Sequence, residues 1–77
     1  MNHVFTLEVS GIDPTRDNYE DALFDAGCDD ALIAVIDRTL YLDFDRDAPS
    51  FEAAVESAKR DVERAGGHVV RVRPAPE

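Results

Sequence analysis

The chain has 77 residues, 44% of them hydrophobic, and its 17 acidic and 8 basic residues give a formal net charge of −9 at pH 7. This length predicts a single domain, residues 1–77, with an ordered core over about 3–74 and a polar tail at 75–77. No apolar run approaches the ~20 residues of a membrane-spanning helix. This negative net charge disfavours direct binding to nucleic acid or to an anionic membrane, because both carry negative charge.

The first third of the chain predicts a strand followed by a helix. Residues 4–9 alternate apolar and polar side chains, which is the period of a half-buried strand. Residues 14–15 then precede a segment, 19–26, whose apolar side chains recur at i, i+3, i+4 and i+7. This spacing indicates an amphipathic helix, and Gly27 is placed to end it as a left-handed residue.

The middle of the chain predicts a β-hairpin. The segment "ALIAVI" at 31–36 is apolar at every position, so we expect a strand that is well covered on both faces. Asp37 and Arg38 form the turn, and residues 39–45 alternate again with Asp43 and Asp45 directed outward. The turn lacks glycine, which leaves the hairpin register weakly specified.

The last third predicts a second helix and a fourth strand. Pro49 and Ser50 open a helix whose apolar stripe continues from Phe51 to Ala65, and two glycines at 66–67 end it. The segment "HVVRVRP" is typical of a short strand that stops at Pro74.

These elements predict an α+β domain of ferredoxin-like βαββαβ topology, with an antiparallel sheet in the order 4-1-3-2 and both helices on one face. The other face of the sheet is then open. The topology also brings one end of every strand to a common edge, where it gathers several charged side chains: His3, Asp29, Asp30, Asp43, Asp45 and Arg73.

The aspartates at alternate positions from Asp43 resemble the opening of a calcium loop. The sixth position is Ala48 and the twelfth is Ala54, where such a loop needs glycine and a bidentate glutamate. We therefore expect no resident metal and no other cofactor. Weak candidates for a divalent cation are the carboxylates at the common edge: Asp29, Asp30, Asp43 and Asp45.

The same stretch has a structural interpretation that we prefer. Asp47 or Ser50 can accept hydrogen bonds from the first turn of the second helix. Arg46 lies between two aspartates and is expected close to Asp29 and Asp30, where it reduces the repulsion among carboxylates.

Nothing in the sequence favours catalysis. The single cysteine, Cys28, is expected to be a small buried apolar residue, and the predicted fold separates His3 from His68. The N-terminus has neither a basic start nor a long apolar stretch, and a lone cysteine fits a reducing compartment. We expect a non-catalytic cytoplasmic protein.

The open face predicts a protein-binding surface with an apolar centre and a charged rim. Phe24 points away from the stripe of the first helix and is expected to be exposed. Ordinary surface residues are the alternative interpretation. The candidate interaction residues are Val4, Thr6, Glu8, Phe24, Tyr41, Asp43, Val69, Arg71 and Arg73.

The segments "FTLEVSG", "AGCDDA", "DFDRDAPS", "EAAVESAKRDVERAG" and "VVRVRP" resemble a group of short bacterial proteins. Some of these continue past the equivalent of Pro74 into a helix-turn-helix segment, which implies a sensor or dimerisation module. This sequence ends at Glu77, so the resemblance implies a free-standing regulatory module, antitoxin-like in role. It transfers no catalytic or binding residue.

Together these features predict a small interaction module that self-associates or binds a basic protein through the open face. Two alternatives stay open. One is an acidic mimic of nucleic acid that inhibits a DNA-binding protein, and the other is a weak divalent-metal-binding protein.

Overall fold

A computed structural model describes residues 1–13 and 18–74. The predicted helix start at 14–15 and the predicted tail at 75–77 lie outside these residues. The elements occur in the predicted order: β1 (Asn2–Ser10), α1 (Tyr19–Asp25), β2 (Ala31–Ile36), β3 (Thr39–Asp47), α2 (Phe51–Arg64) and β4 (His68–Pro74).

The four strands form one antiparallel sheet in the order β2-β3-β1-β4. This is the predicted order, 4-1-3-2, counted from the opposite edge. β1 lies in the centre and pairs with β3 from Asn2 opposite Asp47 to Val9 opposite Leu40. The predicted α+β architecture and strand order are confirmed.

The core lies between one face of the sheet and the two helices. Phe5 and Phe44 stack at the centre of this face with ring centroids 5.4 Å apart. The predicted inward residues of β1 and β3 are buried, and so are Leu23 of α1 and four residues on the stripe of α2. Alternation in the strands and the 3.6-residue period in α2 therefore predicted the core. Within the described residues, no helix is both long and apolar enough to span a membrane.

The hairpin turn adopts a left-handed conformation at both of its central residues. Asp37 has a φ of 50° and Arg38 a φ of 65°, and Ile36 pairs directly with Thr39. Two consecutive positive φ values match the twist of the flanking strands. The turn thus fixes the register without glycine, although a left-handed arginine is costly.

The expectation that β2 is well covered was wrong. β2 is an edge strand that pairs with β3, and the helices cover only one face of the sheet. Ala31 is buried and Ile33 packs against the core, whereas 77% of Leu32 and 59% of Ile36 are exposed. The residues of β2 are all apolar, but they alternate between two faces of the sheet, and one of these faces is exposed to water.

The expected position of Val69 was also wrong. A β-bulge between Glu8 and Val9 shifts the pairing with β4, so that Val69 lies opposite Val9 and packs against the core. The extra residue of the bulge, Val70, is exposed instead.

Candidate interaction surface

The open face of the sheet is the side of the four strands turned away from the core. The side chains that the register places on it include Val4, Thr6, Glu8, Leu32, Ala34, Ile36, Tyr41, Asp43, Asp45, Arg71 and Arg73. Seven of these were predicted as interaction residues, namely Val4, Thr6, Glu8, Tyr41, Asp43, Arg71 and Arg73.

Polar side chains of both signs lie across the centre of the open face, with the acidic ones on β3 and β1 and the basic ones on β4. Thr6 lies between Asp43 on β3 and Arg73 on β4, and its hydroxyl donates a 2.6 Å hydrogen bond to Asp43 Oδ1. Glu8 lies between Tyr41 and Arg71 in the next row. Along β3, the exposed carboxylates of Asp43, Asp45 and Asp47 follow one another on this face, whereas β4 carries Arg71 and Arg73. The acidic row is therefore confined to one strand.

The apolar part of the open face lies at the β2 edge. Leu32, Ala34 and Ile36 are consecutive open-face residues of β2, and Val4 on β1 is 51% exposed. Strand alternation does not separate the two faces of an all-apolar segment, so sequence reasoning missed Leu32 and Ile36. The signal that identifies them is the edge position of this strand in the predicted sheet order.

Two predicted interaction residues lie away from the open face. Val69 packs against the core, as described above. Phe24 is 44% exposed, as expected, but it lies on α1 in the helical layer. The structure does not bring either residue to the open-face group.

A guanidinium network lies on the helical side of the sheet. Arg46 follows Leu40, Leu42 and Phe44 in the alternation of β3 and points to the same face. Its Nε and Nη2 donate to the two oxygens of Asp30 at 2.7 and 2.8 Å, and Nη1 donates to Asp61 Oδ2 at 2.9 Å.

The remaining donors of Arg46 also have partners. Nη1 donates to the Ser57 hydroxyl at 3.1 Å, and Nη2 donates to the Gly27 carbonyl at 2.9 Å. All five N–H groups of the guanidinium are thereby used. Arg46 joins β3 to the start of β2, the end of α1 and the middle of α2.

The electrostatics of this network favour a permanently charged Arg46. Hydrogen bonding to Asp30 raises the pKa of the guanidinium above its ordinary value, with a smaller rise from Asp61, and burial acts in the opposite direction. The expected proximity of Arg46 to Asp30 is confirmed. Asp61 and Ser57 were not predicted, although they lie one turn apart along the border of the α2 stripe.

The four weak metal candidates are divided between the two sides of the sheet. Asp30 binds Arg46 on the helical side, whereas Asp43 and Asp45 are exposed on the open face. Over residues 1–13 and 18–74, no group of three or more histidine, cysteine, aspartate or glutamate side chains could hold a metal ion.

The helix cap and the cysteine lie as expected. The Ser50 side chain accepts a 3.1 Å hydrogen bond from Ala53 N and caps α2, while Asp47 binds the Met1 ammonium at 2.7 Å. Cys28 is fully buried. Burial, together with the charge of Asp61, raises the pKa of its thiol to about 11, so the thiol is neutral and shielded at pH 7.

A surface cavity of about 520 Å³ lies between the start of α1 and the end of α2. Its lining includes Tyr19, whose phenol pKa is raised by burial and by neighbouring Glu20. Asp13 and Asn18 also line the cavity.

The fold and the open face define a small α+β protein with one uncovered sheet face. The chain matches no protein-family model, no curated protein and no solved structure.

Proposed function

We propose that this chain is a non-catalytic protein-interaction module of ferredoxin-like topology that acts in the cytoplasm and binds a protein through its open face. The observation that carries the proposal is the exposure of Leu32 and Ile36, at 77% and 59%, on a face that no helix covers. Large aliphatic side chains that share one exposed face mark interaction sites in soluble proteins.

The arrangement around these residues supports a protein as the ligand. An apolar area at the β2 edge adjoins a polar area that contains both acidic side chains, Asp43 and Glu8, and a basic one, Arg71. Protein interfaces combine an apolar centre with a polar rim that sets orientation and specificity. The mixed rim also favours a partner with both signs of charge over a uniformly basic one.

The test compares a double variant, Leu32→Ser with Ile36→Ser, against wild type and against Phe24→Ser. All three positions are exposed, so the substitutions should leave the fold intact, as checked by far-UV circular dichroism. The tagged proteins are used for affinity capture with quantitative mass spectrometry and for sedimentation velocity.

For the double variant we expect the amount of captured partner, or of the self-associated species, to fall at least about tenfold, because the variant lacks the apolar centre of the surface. Phe24→Ser lies on the helical layer and should behave as wild type. Identical partners and identical sedimentation for wild type and the double variant would refute the proposal.

A further inference from the structure

The two edges of the sheet differ in their protection against pairing. β4 carries exposed Arg71 and Arg73, contains the β-bulge and ends at Pro74, and each of these features hinders the addition of another strand. β2 has no charge and no proline from Ala31 to Ile36, and its pairing with β3 shows no bulge. β2 is therefore the edge that is open to another strand.

Exposed apolar side chains are concentrated on the same strand. Within the described residues, eight large hydrophobic side chains are exposed, and three of them belong to the six residues of β2: Leu32, Val35 and Ile36. Leu32 and Ile36 lie on the open face, whereas Val35 lies on the helical side beyond the cover of the helices. A strand added at the β2 edge would contact Leu32 and Ile36 on one face and Val35 on the other.

The backbone of β2 directs free N–H and C=O groups outward, as pairing with another strand requires. Asp45 N donates to Asp30 O, and Ile36 pairs with Thr39 across the two-residue turn. In antiparallel pairing this phase directs the backbone groups of the even-numbered residues toward β3. The N–H and C=O groups of Ile33 and Val35 therefore point outward.

We propose that the occupant is a second copy of this chain, joined through antiparallel β2–β2 pairing about a twofold axis at Ala34. This inference rests on the proposed function and names its partner. The register places Leu32 opposite Ile36 of the second copy on the open face, and Ile33 opposite Val35 on the helical face. Directly opposed side chains in such a pair lie ~5 Å apart, close enough to pack.

Charge complementarity favours this register over one whose axis is shifted toward the start of β2. It brings the acidic pair Asp29 and Asp30, before β2, near Arg38, after β2, of the second copy, and the twofold axis repeats the contact. Asp29 is exposed beside Asp30. A shift by two residues, which also preserves the faces, would instead place Asp29 opposite Asp37 of the second copy and bring like charges together.

The register is tested by disulfide formation in a Cys28→Ala background. In Ala34→Cys, the two introduced cysteines face each other across the axis in a non-hydrogen-bonded pair, with Cα atoms ~4.5 Å apart, which is within disulfide range. In Leu32→Cys, the two cysteines are separated by four residues along the strands, or ~13 Å. Under mild oxidation we expect rapid crosslinking of Ala34→Cys and slow crosslinking of Leu32→Cys, although Leu32 is the more exposed position.

Sedimentation equilibrium tests the association itself. The wild-type chain should give a mass near twice its 8.5 kDa, and Leu32→Lys should weaken the association at least about tenfold. Arg38→Asp should also weaken it, and adding Asp29→Arg to Arg38→Asp should restore part of the loss. Circular dichroism checks that each variant is folded.

A wild-type chain that stays at 8.5 kDa up to millimolar concentration would overturn the inference. Equal crosslinking rates for the two cysteine variants would overturn the register and, with it, the β2–β2 arrangement. A monomeric chain whose Leu32 and Ile36 double variant loses a captured partner would refute only the second copy as occupant. The proposed function fails separately, when that double variant loses nothing.

Discussion

Replacement of Arg46 by methionine should destabilise the fold by about 3 kcal/mol. Arg46 is 11% exposed, and its partners Asp61 and Asp30 are 17% and 30% exposed. Removing one partner of a buried ion pair costs about 3–5 kcal/mol because it leaves an uncompensated charge. The partial exposure of the two carboxylates places this site at the lower end of that range.

The measurement is urea unfolding followed by far-UV circular dichroism at one low chain concentration, so that association does not contribute. A chain of this length has roughly 4–12 kcal/mol of stability at 0.05–0.15 kcal/mol per residue, so the variant should still fold. Arg64→Met is the matched control. Arg64 is 65% exposed and lies 3.8 Å from Asp61, and such a surface pair contributes less than about 1 kcal/mol.

A double-mutant cycle separates the ion pair from the loss of side-chain packing against Phe44, over whose ring the guanidinium lies at 4.9 Å. Asp61→Asn in the wild-type background removes a charge that Arg46 binds, whereas in Arg46→Met it removes an unpaired charge. We expect a coupling free energy of about 1–3 kcal/mol. Equal losses for Arg46→Met and Arg64→Met would refute the network as a stabilising element.

Three other substitutions test separate parts of the fold in the same unfolding assay. Arg38→Gly should stabilise a dilute sample by about 0.5–1 kcal/mol, because glycine adopts the φ of 65° without strain; a loss of stability would contradict this. Gly67→Ala should cost about 1–3 kcal/mol, since its Cβ would lie 2.9 Å from methyl groups of Ile12, Val62 and Val9; an unchanged midpoint would show that the core adjusts freely. Folding raises the thiol pKa of Cys28 from 9.0 to about 11, so wild type should lose about 2 kcal/mol relative to Cys28→Ala as the pH rises from 9 to 11, and parallel pH profiles would refute it.

Local periodicity predicted the elements of this fold, while their environment depended on tertiary contacts. Alternation at 4–9 and 39–45 defined the inward side chains of two neighbouring strands, and those residues form the core. At 31–36 there was no alternation to interpret, so the covered and uncovered faces could not be separated. Val69 shows another limit, because the one-residue β-bulge reversed the face that simple alternation assigned to it.

Only part of the Arg46 network could be predicted from sequence patterns. Its parity with Phe44 on β3 indicates the helical side, and the neighbouring Asp30 was expected within reach. Asp61 and Ser57 come from α2, whose position over the sheet depends on packing that no local pattern specifies. The close fit at Gly27, where a Cβ would lie 2.8 Å from Asp61 Oδ2, likewise arises only when α1 and α2 meet.

The network and the exposed β2 edge are linked through one short segment. Asp30 immediately precedes β2 and is held by two hydrogen bonds from Arg46, so the start of the edge strand is fixed to the rest of the domain. A rigid strand loses less conformational entropy when it pairs than a mobile one does. Arg46 therefore joins the elements of one domain, and in the proposed association it would also hold the β2 edge in a preformed conformation.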